Sequence, residues 1–313
     1  MSRSDRPIHV RLLLAGCCLA VAGCAAILGI DDGIPRDGGA DATAEAAAEA
    51  GPDASARCSA QKPFGTPVAV AALDTGIDEG LARLSRDELE VYFERIGGSY
   101  DLYVATRPSA SQPFNSPAPV ASVDTSSNEA DPALSANGQL LYFVSDGEGG
   151  LGAFDLWAAT RVDGGFAGPS PLAGVNSPSN EQYPYALASS LYFTSDRSGV
   201  ASIYRADLAG TAATNVVPVG PGDAGAQLAA VVSDDELVMY FAAAGVSEAG
   251  NDFDIWLSTR TATSQPWSAP VQVAELDTPS VEIPTWLSPD LCRLYLTTNR
   301  GGNYDVYVAS RSP

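Results

Sequence analysis

The sequence predicts an all-β protein, a five-bladed β-propeller with Velcro closure by an N-terminal strand, preceded by a disordered tether. Three observations carry that expectation. A set of motifs recurs at a period of about 50 residues. The recurring runs are short, aromatic and β-branched, with no helical period. One strand-like segment stands ahead of the first complete unit with no partner of its own.

The amino-terminal region reads differently from the rest. Residues 1–23 carry Arg3, Arg6 and Arg11, then the apolar run LLLAGCCLAVAG. A basic start, a short apolar run and small residues at its end describe a secretory signal peptide, and the run is too short for a comfortable membrane span. It ends in Val21-Ala22-Gly23-Cys24, which resembles the bacterial lipobox. That resemblance implies lipidation of Cys24 as the first residue of the mature chain. A second match, Leu14-Ala15-Gly16-Cys17, lies inside the apolar run, where cleavage would leave a much shorter segment. The competing reading is an ordinary signal peptide with an incidental cysteine. Cleavage before Cys24 removes three Arg and one Asp, taking the formal charge from -21 to about -23. Ala25 stands where Asp retains enterobacterial lipoproteins in the inner membrane, which points to the outer membrane, on its periplasmic or its surface side. Residues 24–63 form the lipidated N-terminus and a linker. Within it, 31–57 are rich in Ala, Asp and Gly and too poor in large apolar side chains to offset ordering entropy.

Residues 64–313 are the predicted propeller. YDLYVATR (100–107) recurs as FDLWAATR (154–161), FDIWLSTR (253–260) and YDVYVASR (304–311), with a degenerate SIYRADL at 202–208. The Asp-to-Asp steps are 54, 99 across the degenerate copy, and 51. Upstream of each copy runs LSRDELEVYF, LSANGQLLYF, LASSLYF, VSDDELVMYF or LSPDLCRLYL, and a Pro-flanked element follows. Each unit therefore reads as four short strands separated by Gly, Asn, Asp and Pro. The last unit lacks a fourth strand, and FGTPVAVAAL (64–73) is the orphan that would complete it, closing the ring.

Composition excludes several functions. The chain carries a net charge of -21 and its one lysine is Lys62, so nothing could neutralise a phosphate backbone and no nucleic-acid partner is expected. The one histidine, His9, lies in the leader. Without histidine, Ser-His-Asp and Cys-His mechanisms and the commonest metal ligand are absent, while carboxylate chemistry remains open.

The motifs resemble the TolB-type (WD40-like) propeller repeat, L-S-P-D-G, then LYF-S-D-R, then G-G, then D-I/L-Y. LSPDLCRLYLTTNRGGNYDVYV (287–308) and LSANGQLLYFVSDGEGGLGAFDLWAATR carry the likeness best. The resemblance covers about 250 residues and implies the fold. It leaves function open, because propellers host many activities.

Five positions before the Leu-Ser landmarks, Glu79, Glu129, Glu181, Gln227 and Glu282, have two readings. They would form an acidic ring at the channel mouth, able to hold Ca²⁺ or a cationic group, or each would bond backbone at a blade junction. No cofactor is expected beyond such a Ca²⁺, and the metal set is otherwise unknown. Asp101, Asp155, Asp254 and Asp305 read as turn residues. Trp157, Trp256 and Trp286 read as packing between blades, with sugar stacking as the alternative. The acidic glycine turns around Asp146, Glu148, Asp196 and Arg197 match no EF-type spacing. Cys58 and Cys292 fall on one face of the closing blade, and a bridge between them would pin the closing strand; the alternative is two thiols.

The function expected is a non-enzymatic, lipid-anchored envelope protein, monomeric, binding another envelope protein or a glycan. The alternative is a carboxylate-based glycoside hydrolase or lyase, which needs acids that break the internal symmetry. A purely structural envelope component is the third reading.

Overall fold

The computed structural model describes residues 57–221, 225–244 and 253–313. Among them every regular element is a strand. Cys24, the leader and most of the linker lie outside the described residues.

Five antiparallel four-stranded sheets make a five-bladed β-propeller. Blade 1 holds β2 (Asp78–Leu84), β3 (Glu90–Ile96), β4 (Tyr100–Thr106) and β5 (Ala118–Pro119). Blade 2 holds β6 (Glu129–Leu134), β7 (Leu140–Ser145), β8 (Asp155–Val162) and β9 (Gly165–Pro171). Blade 3 holds β10 (Glu181–Ala186), β11 (Ser190–Ser195), β12 (Ser202–Ala209) and β13 (Ala212–Pro218). Blade 4 holds β14 (Gln227–Val232), β15 (Val238–Ala244), β16 (Phe253–Thr259) and β17 (Val271–Gln272). Blade 5 takes β18 (Glu282–Leu287), β19 (Arg293–Thr298) and β20 (Asp305–Ser310) from the carboxy-terminal unit, and β1 (Val68–Ala69) as its outer strand. β1 pairs antiparallel with β20, Val68 opposite Val308. Each inner strand touches the next around the axis, and β18 touches β2, so the ring is closed.

The second strands explain the Leu-Tyr-Phe runs. Alternate side chains leave opposite faces of a sheet, and in a ring both faces of a blade are covered. Tyr142, Tyr192 and Tyr240 are therefore buried on one face, and Phe93, Phe143, Phe193 and Phe241 on the other.

The Leu-Ser landmark is a turn with its own chemistry. Ser85, Ser135, Ser233 and Ser288 each meet the Asp or Asn two residues on, and each hydroxyl accepts the amide five residues on. The turn then passes through a left-handed residue, Glu88, Gly138, Glu236 or Leu291. The arginine ending each long third-strand motif donates its Nε to that residue's carbonyl. Arg107, Arg161, Arg260 and Arg311 do so at 2.6, 2.6, 2.6 and 2.8 Å. Each guanidinium also lies over an aromatic ring, Phe114, Phe166, Trp267 or Phe64, at 4.2–4.9 Å. Phe64 comes from the amino-terminal segment, so that segment fills in blade 5 the place its equivalents fill in their own blades.

The packed body begins before residue 64. Cys58 is buried and its amide donates to the Asp290 carbonyl, while Arg311 reaches the carbonyls of Ala60 and Lys62. Cys58 and Cys292 are joined by a disulfide with 5.1 Å between Cα atoms.

Candidate functional site

The axis has two ends and a centre, and each gathers different chemistry. At the end where inner strands begin stand Glu79, Glu129, Glu181, Gln227 and Glu282. All five are 0–3% exposed. Side chains of a blade project from its faces, towards neighbouring blades, and only the inner strand's edge meets the axis. The carboxylates accordingly turn into the blade junctions, and no acidic ring opens onto the channel. Each Glu accepts the hydroxyl and amide of the residue four positions upstream, Thr75, Thr125, Ser177 or Thr278. Arg197 and Arg300 pair with Glu181 and Glu282 at 2.9 and 3.1 Å, and Ser145 bonds Glu129 at 3.1 Å. Gln227 bonds the Pro221 carbonyl instead. Burial raises the carboxyls of Glu79, Glu129 and Glu282 above their ordinary range, against the pull of these bonds.

Two junctions bring further acids to this device. Asp74, Glu79 and Asp305 form one trio and Asp254, Asp277 and Glu282 the other, each with carboxylate oxygens within 4.8 Å of one another. Oxygen sets of this kind suit a hard divalent cation such as Ca²⁺. Several other sequence-marked residues have structural partners. Asp155 accepts the amides of Leu151 and Gly152, Asp146 and Asp196 clamp Asn128 and Asn180, and Trp157 and Trp256 pack part-buried against the core.

The centre holds groups that motif reading missed. Each of the first four inner strands has a β-bulge with a left-handed residue, Leu81, Asp131, Tyr183 or Ala229. Pro284 holds this place in blade 5, where proline's fixed φ forbids that conformation, and the irregularity lies between Pro284 and Trp286. The freed amides point at the neighbouring blade. The Asp131 amide donates to Glu94 at 3.1 Å, and the Tyr183 amide donates to Asp131 at 2.8 Å, which staples blades 1, 2 and 3. Glu94 and Asp131 are 0% and 2% exposed. Burial and the neighbouring Asp131 carboxylate push Glu94 well up. Asp131 rises to about 6, burial outweighing its amide bond and the nearby Arg83. Gly80 makes the room, since a Cβ there would lie 2.9 Å from Glu94 Oε1. Glu94 Oε1, Asp131 Oδ1, Arg83 Nε, Tyr183 OH and Thr285 Oγ1 are buried with no protein partner.

At the other end, where the Leu-Ser turns converge, all five blades line an axial cavity of about 50 Å³. Arg83, 3% exposed, forms part of its wall and stacks on Tyr185 at 4.9 Å. Its signal was present in the sequence as broken symmetry. The equivalents of Arg83 are Ala133, Tyr185, Val231 and Trp286, and those of Glu94 are Val144, Thr194, Ala242 and Thr297.

No family model matches this sequence. No curated protein matches it either. Solved structures do resemble the fold. TolB from Acinetobacter baumannii is 13% identical over 77% of this chain and 56% of that one, with a TM-score of 0.49. This chain thus spans little more than half of that TolB chain. An α-L-arabinofuranosidase from Podospora anserina, solved with cellotriose, is 10% identical over 80% of this chain and 97% of that one, TM-score 0.52. A glycoside hydrolase described as putative from Bacteroides ovatus is 12% identical over 75% and 87%, TM-score 0.52. At such identities the likeness is one of fold.

Proposed function

We propose that this chain is a non-enzymatic binding module of the TolB-type repeat class, exported and held to the outer membrane through a lipid on Cys24. One observation carries the reading. Glu94 and Asp131, acids with no equivalents in the other blades, are sealed from solvent and committed to amides of adjoining blades. General acid–base work on a glycan needs carboxyl groups within reach of the scissile bond. The repeated glutamates are likewise bound into the frame, which leaves the ends of the axis as contact surfaces for a partner.

The test is affinity capture from envelope extract with the detergent-solubilised, C-terminally tagged full chain. A partner retained saturably supports binding. Hydrolysis of a polysaccharide by the same preparation, lost in Glu94→Gln or Asp131→Asn while melting is unchanged, overturns it in favour of a glycoside hydrolase. That second reading keeps one point in its favour: Glu94 and Asp131 break the internal symmetry from different blades. For the anchor, Cys24→Ala releases the chain from the membrane fraction; a variant that stays there refutes lipidation.

A further inference from the structure

We infer that the axial pocket at the Leu-Ser end receives the free C-terminal carboxylate of a partner polypeptide whose last residue is apolar. The inference rests on the binding reading above and names the chemistry of its ligand.

Arg83 carries it. Its guanidinium is buried, Nη1 donates to the Thr285 carbonyl, and Nε has no acceptor. No carboxylate lies within ion-pair distance of it among the described residues. A buried cation with no direct ion-pair contact is costly unless something else satisfies its N–H groups. Burial accordingly draws the Arg83 guanidinium down to about 10, with Tyr185 and Asp131 opposing. An unused N–H edge on a planar guanidinium matches the two oxygens of a carboxylate.

The walls select the rest of the ligand. Leu84, Leu134, Leu187 and Leu287, from four blades, surround the cavity together with Trp286. The leucines that mark the repeat in sequence thus stand around Arg83, with Arg86, Ser135 and Asp234 also in the lining. A C-terminal residue brings one carboxylate for the cation and one apolar side chain for the leucines.

The mouth is closed by an ion pair that is easy to open. Arg86 in blade 1 and Asp234 in blade 4 meet at 2.6 Å, although those blades are not neighbours in the ring, so the pair spans the pocket. Both side chains are about half exposed, 54% and 42%. Exposed pairs are weak and screened by solvent, so an arriving carboxylate displaces Asp234 from Arg86 on its way to Arg83.

The experiment uses the full chain and two probes, acetyl-Ala-Ala-Leu with a free carboxylate and the same peptide as its amide, followed by calorimetry and tryptophan fluorescence. The free acid is expected to bind saturably and about tenfold or more tightly than the amide, as charged hydrogen bonds imply. Arg83→Met is expected to remove that preference. Ala136→Trp, a substitution in the partly exposed turn at the pocket wall, is expected to abolish binding of both probes at an unchanged melting temperature, and it stands in if the Arg83 variant fails to fold. Equal binding of acid and amide, no binding of the acid, or binding untouched by Ala136→Trp overturns the inference. Glucuronic acid competing as well as the peptide overturns the peptide assignment. Partners captured equally by wild type and Ala136→Trp leave the binding reading standing without this pocket, and wild type capturing nothing refutes the reading itself.

Discussion

Arg311 illustrates how much one side chain does in this frame. It donates to the Leu291, Ala60 and Lys62 carbonyls and to the Tyr240 hydroxyl, and lies 4.2 Å from the Phe64 ring centre. Arg161 makes the same turn contact from a more open position. Arg311→Met is therefore expected to cost about 2–4 kcal/mol in urea denaturation, and Arg161→Met clearly less; equal losses would refute the ordering. The Glu94–Asp131 pair gives a pH signature. A carboxyl raised in the folded chain supports the fold below its unfolded pKa, and that support is lost as pH climbs through the folded value. With Asp131 near 6 and Glu94 also raised by burial, stability is expected to fall from about pH 4 as pH climbs through about 6, by about 1–3 kcal/mol. Glu94→Gln flattens that fall. Glu236 does not mask it. Burial alone would raise Glu236, yet bonds from Arg205, Ser190 and Tyr192 bring it to about 2, so its support is lost only as pH drops below the unfolded value towards 2. Melting temperatures measured across this range decide.

At the scale of elements, closure and divergence are the two themes. β1 is only two residues long and exposed, so its ladder alone holds little. Phe64, Leu73, Arg311 and the Cys58–Cys292 bond do the holding, the last across a sequence separation of 234. Replacing both cysteines by serine is expected to cost about 2–5 kcal/mol. Mass spectrometry of a non-reduced tryptic digest should find the peptide starting at Cys58 joined to the one ending at Arg293; separate peptides refute the bond. Blade 3 departs from the repeat because its third strand, β12, carries Arg205 in place of the usual terminal arginine. Arg205 bonds Glu236 of blade 4 at 2.9 Å and Asp207 at 2.7 Å, so blades 3 and 4 are tied by a substitute device. Divergence in sequence here is rewiring of the junction.

The whole molecule carries a formal charge of -21, and its repulsion acts against the compact ring. Salt screens such repulsion over about 10 Å at 0.1 M. Melting temperature is therefore expected to rise when sodium chloride goes from about 10 mM to about 0.5 M. A fall would mean that ion pairs such as Arg293–Glu88 and Arg205–Glu236 outweigh the repulsion. The same charge makes a buried arginine on the axis conspicuous. Acidic surroundings disfavour a casual anion, and a ligand that reaches Arg83 must be shaped for the pocket as well as charged for it.

Much of this was legible because repetition amplifies weak local signals. Strand-forming runs and turn residues recur in fixed order, and each copy tests the others, so the residues alone determined the five-bladed ring and its closing strand. Glu79 and its equivalents repeat because they fasten blades, whereas Arg83, Glu94 and Asp131 do not repeat. Their meaning lies in which faces of which blades meet at the axis. That meeting joins residues 37 to 202 positions apart, through left-handed bulges that no propensity announces. Only the closed ring decided it, because burial and the direction of a freed amide are properties of packed neighbours rather than of the strand that carries them.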